Sequence, residues 1–292
     1  MLIKNQCKGI VATISPALLT KILFYIKFKK KLNLKNPQTI NEKISWLKLN
    51  TYNNNPLVTQ CADKLKVRDY VKYKGCSEIL NNLLGVWDHA DEINWETLPN
   101  SFVLKCNHGC KYNILCPDKN ELDIKMTKDK LEHWLKEDYW KLFAEVQYKG
   151  IEKKIICEEF LKNDNQESLT DYKFYCVNGK VETLVVCLDR WQNHGHAIEV
   201  NFDKNWNYLP TREQTETNYL NGKMPNKPST FNKMLQYSEI LSEPFPIVRV
   251  DFYEVNGKVI FSELTFTSAG GMDAPLEELP VKIGESLVIG NG

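Results

Sequence analysis

The chain has 292 residues, 42% of them hydrophobic and 26% charged, with room for two or more subdomains of an ordinary globular protein. Its 38 lysines and arginines against 37 aspartates and glutamates leave a net charge of +1, which gives no whole-molecule argument for a nucleic-acid or membrane partner. Nine cysteines, odd in number and scattered among apolar neighbours, argue for the reduced thiols of a cytoplasmic protein and against a secreted disulfide scaffold.

The first element is a mostly apolar stretch from Ile10 to Ile26 that runs straight into Lys27, Lys29, Lys30 and Lys31. Lys21 interrupts it, the apolar run is too short to span a bilayer, and no small-residue cleavage site closes it. The favoured reading is an amphipathic helix, opened by Pro16 and packed on the domain. The alternative is a helix resting on the inner face of an anionic membrane, with the lysines at headgroup level. Thr39 and Glu42 then form a capping box that opens a helix through Ile44, Trp46, Leu47 and Leu49. Asn53-Asn54-Asn55-Pro56 is a loop, and a second helix is expected from Val58 to Tyr73.

Beyond it the pattern is mixed. Leu83–Trp87 and Ser101–Cys106 read as strands, Lys128–Phe143 as a helix, and Lys154–Leu161 as a strand running into a linker. Cys106, His108, Cys110 and Cys116 cluster, but their spacings match no common Cys-x-x-Cys ligand pair, so zinc is not expected. Asp171–Val177 and Lys180–Leu188 form a hairpin around Asn178-Gly179. Pro225–Pro228 is a loop and Ser229–Ser242 a helix. A last hairpin joins Arg249–Tyr253 to Phe261–Thr265 around Asn256-Gly257. Hairpins with a few intervening helices give an α+β fold with antiparallel sheets.

The last hairpin carries the strongest chemical signal. It sets Asp251 and Glu263 on neighbouring strands, where two bare carboxylates repel unless a cation or a shared proton joins them. Hard oxygen ligands suit Mg²⁺, and Mg²⁺ usually arrives with phosphates, so the chain is expected to handle a nucleoside triphosphate. Lys105 ends an apolar strand beside Cys106-Asn107-His108-Gly109 and can meet a phosphate as a point charge, or be a surface lysine. Glu158-Glu159-Phe160-Leu161 offers backbone groups and apolar side chains for an adenine, or is an exposed edge strand. Asp171 and Lys173 share one strand face and could bind a nucleotide or a developing anion, or form a surface ion pair.

The order of these features resembles that of ATP-grasp enzymes, and more closely the TupA-like ATP-grasp family associated with teichuronopeptide biosynthesis and surface-polysaccharide clusters. The resembling stretches span nearly the whole chain. They are Asn36–Lys48, Ala62-Asp63-Lys64 with Val67–Val71, Leu98-Pro99 with Phe102–Gly109, Glu158-Glu159, Asp171–Phe174, Arg249-Val250-Asp251, and Glu263–Thr267 ending in Gly270-Gly271. The resemblance implies an ATP-grasp fold, with two α+β subdomains gripping ATP between antiparallel sheets. It divides the chain into a helical region over 1–60, a small subdomain with the phosphate lysines over 61–160 and a large subdomain with the metal site over 161–292.

Roles implied by the resemblance follow residue by residue. Lys64 and Lys105 look like the nucleotide-phosphate lysines, and His108 and Gly109 belong to the flexible loop over the nucleotide. Glu158, Phe160 and Leu161 look like the adenine hinge, with Glu158 or Glu159 reaching the ribose and Asp171 joining the nucleotide set. Asp251 and Glu263 look like the Mg²⁺ ligands, and Thr265 stands where many relatives carry a metal-binding asparagine. Lys173 sits where related ligases stabilise the reacting acyl phosphate, and Arg249 is a second candidate for that task. Cys110-Lys111 depart from the small residue and glycine expected after His108-Gly109, which either stiffens the loop or adds a phosphate contact.

The activity implied is an ATP- and Mg²⁺-dependent carboxylate–amine ligase. Its partners would be a sugar or polysaccharide precursor bearing a uronic-acid carboxylate, and an amino acid, peptide or other amine. Lys173, Arg249, Arg190 and Arg212 favour a carboxylate substrate over the alternative of a kinase acting on a sugar hydroxyl. A glycosyltransferase-like module without ATP turnover fits less well, because paired bare acids are costly without a metal. Asp189-Arg190-Trp191, with His194 and His196, either line the acceptor site or form a solvated loop.

Overall fold

Two antiparallel sheets carry the fold. The computed structural model of the protein describes residues 2–164, 169–188, 197–211, 214, 224–279 and 283–289. Asp189-Arg190-Trp191, His194, His196 and Arg212 lie outside the described residues.

The first sheet has strands β1 (Leu83–Trp87), β2 (Phe102–Cys106), β3 (Asn113–Cys116) and β4 (Ile155–Glu159), in the order β1-β4-β2-β3. The second has β5 (Asp171–Val177), β6 (Lys180–Leu188), β7 (Ile198–Asp203), β8 (Ile247–Val255) and β9 (Lys258–Thr265), in the order β7-β6-β5-β8-β9. β3 and β7 were not expected. Asn113–Cys116 is too short for alternation to register, whereas β7 does alternate, with Ile198, Val200 and Phe202 against Glu199, Asn201 and Asp203, and was legible in the residues.

Both expected hairpins form. Asn178 and Gly179, and Asn256 and Gly257, all have positive φ, as a two-residue turn matched to the strand twist requires. On the second sheet Phe174, Val250, Phe252 and Leu264 point into the core. A helix over Phe231–Ser242 covers that face, with the Phe231 ring against Phe174 and the Cys176 thiol on the Ser238 carbonyl.

The helical segments differ in detail from the sequence reading. α2 (Pro16–Phe28) opens at Pro16 as expected, and α1 (Leu2–Ile14) precedes it as a separate helix, because Ser15 adopts an extended conformation and its hydroxyl caps the Leu18 amide. α3 (Ile40–Leu49) opens on the expected capping box. Its buried lysines hold it to later parts of the chain: Lys43 Nζ donates to the Gly284 carbonyl at 2.6 Å, and Lys48 Nζ to Gly270 at 2.8 Å.

The helix expected over Val58–Tyr73 is in fact two, α4 (Pro56–Ala62) and α5 (Val67–Tyr73). Asp63 breaks it. Its carboxylate takes the Leu65 and Lys66 amides at 2.8 and 3.2 Å, a local turn that competes with the helix ladder. α6 (Ile124–Lys136) likewise starts before Lys128, on an Asp123 cap, and stops before the separate turn α7 (Trp140–Phe143).

Candidate active site

The site is built on the open face of the second sheet. From the Asn256-Gly257 turn, regular pairing would set Asp251 opposite Ser262 and leave Glu263 on the other face. A bulge intervenes: Phe252 pairs with Phe261 but Asp251 pairs with Glu263, so Ser262 is the extra residue. A one-residue slip exchanges faces, so this bulge is what brings both carboxylates to one side.

Pairing with β5 completes two adjacent rows. Lys173, Asp251 and Glu263 lie side by side across β5, β8 and β9, and Tyr175, Arg249 and Thr265 form the next row. Arg249 grips Asp251 with Nε and Nη2, each at 2.7 Å, and reaches Thr265 Oγ1 at 3.1 Å and Glu263 at 3.5 Å. Lys173 Nζ lies 2.8 Å from Asp251 and 2.5 Å from Asp171. Tyr175 and Ser268 extend the network to Asp273.

The turn between α4 and α5 delivers Lys64 to this face. Its backbone amide donates to the Asn107 carbonyl at 3.2 Å, and Asn107 Nδ2 donates to Asp63 at 2.8 Å. Held at that turn, Lys64 Nζ reaches Glu263 at 3.3 Å. On the first sheet Lys105 pairs with the Glu158 carboxylate, which Arg68 also approaches at 3.4 Å. Glu158 on the first sheet also acts on Lys64 through its charge, so stretches far apart in the chain bring the two groups of charges near each other.

Residues 42–288 fit the family described as TupA-like ATPgrasp. The chain belongs to the TupA-like ATP-grasp family.

No curated protein matches its sequence. Among solved structures it is similar to D-alanine–D-alanine ligase from Bacillus anthracis complexed with ATP, at 13% identity and TM-score 0.43, over 70% of this chain and 55% of that one. It is also similar to the ADP complex of PurK, N5-carboxyaminoimidazole ribonucleotide synthetase, at 10% and 0.45, over 72% and 45%. A third likeness is to the ATP-grasp ligase PsnB complexed with a phosphomimetic variant of a minimal precursor, Mg and ADP, at 10% and 0.43, over 85% and 63%. This TupA-like chain thus spans 45% to 63% of their lengths. These are distant likenesses, and the family match is what fixes the ATP-grasp fold.

Charge pairing dominates the electrostatics of the TupA-like site. Burial alone would raise the Glu263 carboxyl, but Lys64, Arg249 and Lys173 together pull it down to about 2. Burial works against the charge on Lys173, and Asp171 and Asp251 outweigh it, so its pKa rises. Arg249 is raised in the same way, Asp251 being its main partner. Lys64, Lys173 and Arg249 thus face Asp171, Asp251 and Glu263 in equal number.

The donors fit Mg²⁺ in kind: Asp251, Glu263 and Thr265 offer only oxygen, on one face of a hairpin. Among the described residues no group of three or more His, Cys, Asp or Glu side chains could hold a metal by itself. A cation here would therefore draw further ligands from a substrate.

Two members of the expected nucleotide set, His108 and Gly109, are packed among aromatic side chains. The His108 ring is buried, with Nε2 3.1 Å from the Trp134 carbonyl and Tyr112 beside it. Burial, with Lys153 nearby, pushes its pKa down to about 4, so it is a neutral core side chain. Gly109 is demanded by packing, since a Cβ there would stand 2.7 Å from the Tyr139 ring and 2.8 Å from the Tyr112 ring. Glu158 is engaged by Lys105 and Arg68, so its carboxylate is the ion-pair partner of both. Glu159 also departs from a simple hinge. Its amide donates to Asn82, its carbonyl accepts from Asn81 Nδ2, and its carboxylate accepts from Asn82 Nδ2 at 2.6 Å. Phe160 and Leu161 follow directly, both half-buried.

Sequence reasoning missed Asp63, Asn107, Arg68, Tyr175, Ser268 and Asp273. Tyr175 was within reach, because it continues the Asp171, Lys173 alternation along one strand. The others act through contacts between elements far apart in the chain, which no local pattern records.

Proposed function

We propose that the chain is an ATP- and Mg²⁺-dependent carboxylate–amine ligase acting through an acyl phosphate. One observation carries this reading: the two three-residue rows on β5, β8 and β9, met at Glu263 by Lys64. The site's acidic and basic groups already balance, so a nucleotide polyphosphate would bring negative charge that a divalent cation offsets.

Asp251, Glu263 and Thr265 would hold Mg²⁺, which when bound supplies charge stabilisation at phosphate oxygens. Lys64 and Lys105 take the nucleotide phosphates as point charges. Phe160 and Leu161 receive the adenine, since Glu159 already spends its backbone groups on Asn81 and Asn82. Lys173 and Arg249 face the reacting carboxylate and the transferred phosphoryl group, two anions that repel until cations separate their charge. The carboxylate oxygen bonds to the γ-phosphorus as ADP leaves. An amine then bonds to the acyl carbon, phosphate departs with the carboxylate oxygen, and the amine gives up a proton.

Arg249 and Lys173 together suit a carboxylate substrate, and the family supports a sugar-borne one. We assign it as a uronic acid joined to an amino acid or short peptide during surface-polysaccharide synthesis. We also assign the division into a helical region over 1–60, a small subdomain over 61–160 and a large one over 161–292.

ATP consumption measured against a panel of uronic acids and amines, with products weighed by mass spectrometry, tests this reading. In that assay Lys105→Ala is expected to raise the KM for ATP about ten- to a hundredfold. Arg68 still pairs with Glu158, so the loss of stability should be only about 1 kcal/mol. An unchanged KM would return Lys105 to the role of a surface lysine.

A further inference from the structure

The first two helices leave a stripe of apolar side chains open. Ile10 and Ile14 stand four residues apart on α1, and Leu18, Ile22, Tyr25 and Ile26 recur at helical spacing on α2. Their exposures run from 40% at Ile22 to 76% at Ile14. The other side of the pair is packed, with Ala12, Leu19, Leu23 and Phe24 buried. Single exposed apolar residues are ordinary, but two on α1 and four on α2 at helical spacing are a surface awaiting a partner.

Charge identifies the partner. Residues 1–41 hold eight lysines and no acidic residue, whereas the whole chain carries +1, so the remaining residues carry −7. Lys21, Lys27, Lys29, Lys30 and Lys31 are all exposed, and the last three follow directly on α2. A second copy of this face would bring like charge against like charge. An anionic lipid surface meets both features at once, taking that stripe into its apolar boundary and the lysines at its phosphates. Among the described residues no helix is long and apolar enough to cross a membrane, so the fitting mode is to lie in its plane.

We propose that α1 and α2 form a peripheral docking surface for anionic lipid, holding the ATP-grasp site beside a membrane. The proposal goes beyond the ligase reading and does not depend on it. Co-sedimentation of the whole protein with phosphatidylcholine vesicles, with and without phosphatidylglycerol, tests it. Binding is expected only with phosphatidylglycerol, and should weaken as salt is added. One variant carries Ile14→Ser, Ile22→Ser and Ile26→Ser; another carries Lys29→Glu, Lys30→Glu and Lys31→Glu. Each is expected to bind at least about tenfold more weakly, with melting unchanged because these side chains are exposed. Absence of vesicle binding by the parent, or binding that survives in both variants, would overturn the proposal. So would a parent dimer in sedimentation velocity that the serine variant dissolves.

Discussion

Glu263→Gln is expected to cut Mg²⁺-dependent turnover by about a thousandfold or more while leaving the fold standing. The carboxamide keeps the shape and loses the charge that a hard cation needs. Glu263 is 28% exposed, and Lys64 and Arg249 are its ion-pair partners, so the stability lost should be about 1 kcal/mol. The pH dependence has a definite sign. The folded pKa of Glu263 lies below its ordinary value, at about 2. Its stabilising contribution is therefore full above the ordinary glutamate range and is lost as pH falls through about 2. Denaturant melts of parent and variant should differ at neutral pH and converge near the acid end. Near-normal turnover in Glu263→Gln would remove the metal site from this hairpin.

Asp251→Asn should behave differently, although the two carboxylates are register partners. Asp251 is only 1% exposed and takes both the Arg249 fork and Lys173. Neutralising it leaves Lys173 with Asp171 and Arg249 with Glu263 as their remaining acidic partners, a loss of about 3 kcal/mol. Asp251 is thus part of the fold as well as of the site, and Glu263 is the cleaner probe.

Arg249 should show the second large effect. Its guanidinium donates to Asp251, Ser268, Thr265 and Glu263 at once, a geometry that only a planar fork provides. Arg249→Ala is expected to lower kcat by about a thousandfold with little change in the KM for ATP. It should also destabilise the protein by about 3 kcal/mol, because Asp251 keeps only Lys173. Arg249→Lys should recover much of the stability and little of the rate, since it restores charge but not the fork. Steady-state kinetics and thermal melts on the two variants separate these contributions. Full activity in Arg249→Lys would show that charge alone suffices there.

How much of this was legible in the sequence depends on how local each feature is. The turns at Asn178-Gly179 and Asn256-Gly257, the Thr39–Glu42 cap and the alternation of β5 are written in adjacent residues, and all appear in the structure. The pairing of Asp251 with Glu263 was expected from neighbouring strands, yet it depends on a bulge at Ser262 that nothing in the residue types announces. His108-Gly109 resembled a ligand loop because the residue types suit one. Only the aromatic packing of Tyr112, Trp134 and Tyr139 shows that the space is already filled. The helix break at Asp63 depends on a side chain that bonds both its own turn and Asn107, 44 residues away. Such choices are made by tertiary contacts, and local periodicity is blind to them.

In the proposed reaction the substrate carboxylate is activated by phosphorylation before an amine attacks it. The most direct measurement labels that carboxylate with oxygen-18, using a uronic acid that sustains ATP consumption, and follows the label by mass spectrometry. An acyl phosphate route must carry one labelled oxygen into the released phosphate. With hydroxylamine in place of the amine, the same intermediate should be trapped as a hydroxamate. Both products are expected, each dependent on ATP and Mg²⁺ and absent in Glu263→Gln. A stable phosphorylated sugar, with no label in free phosphate and no hydroxamate, would contradict this route and make the protein a kinase.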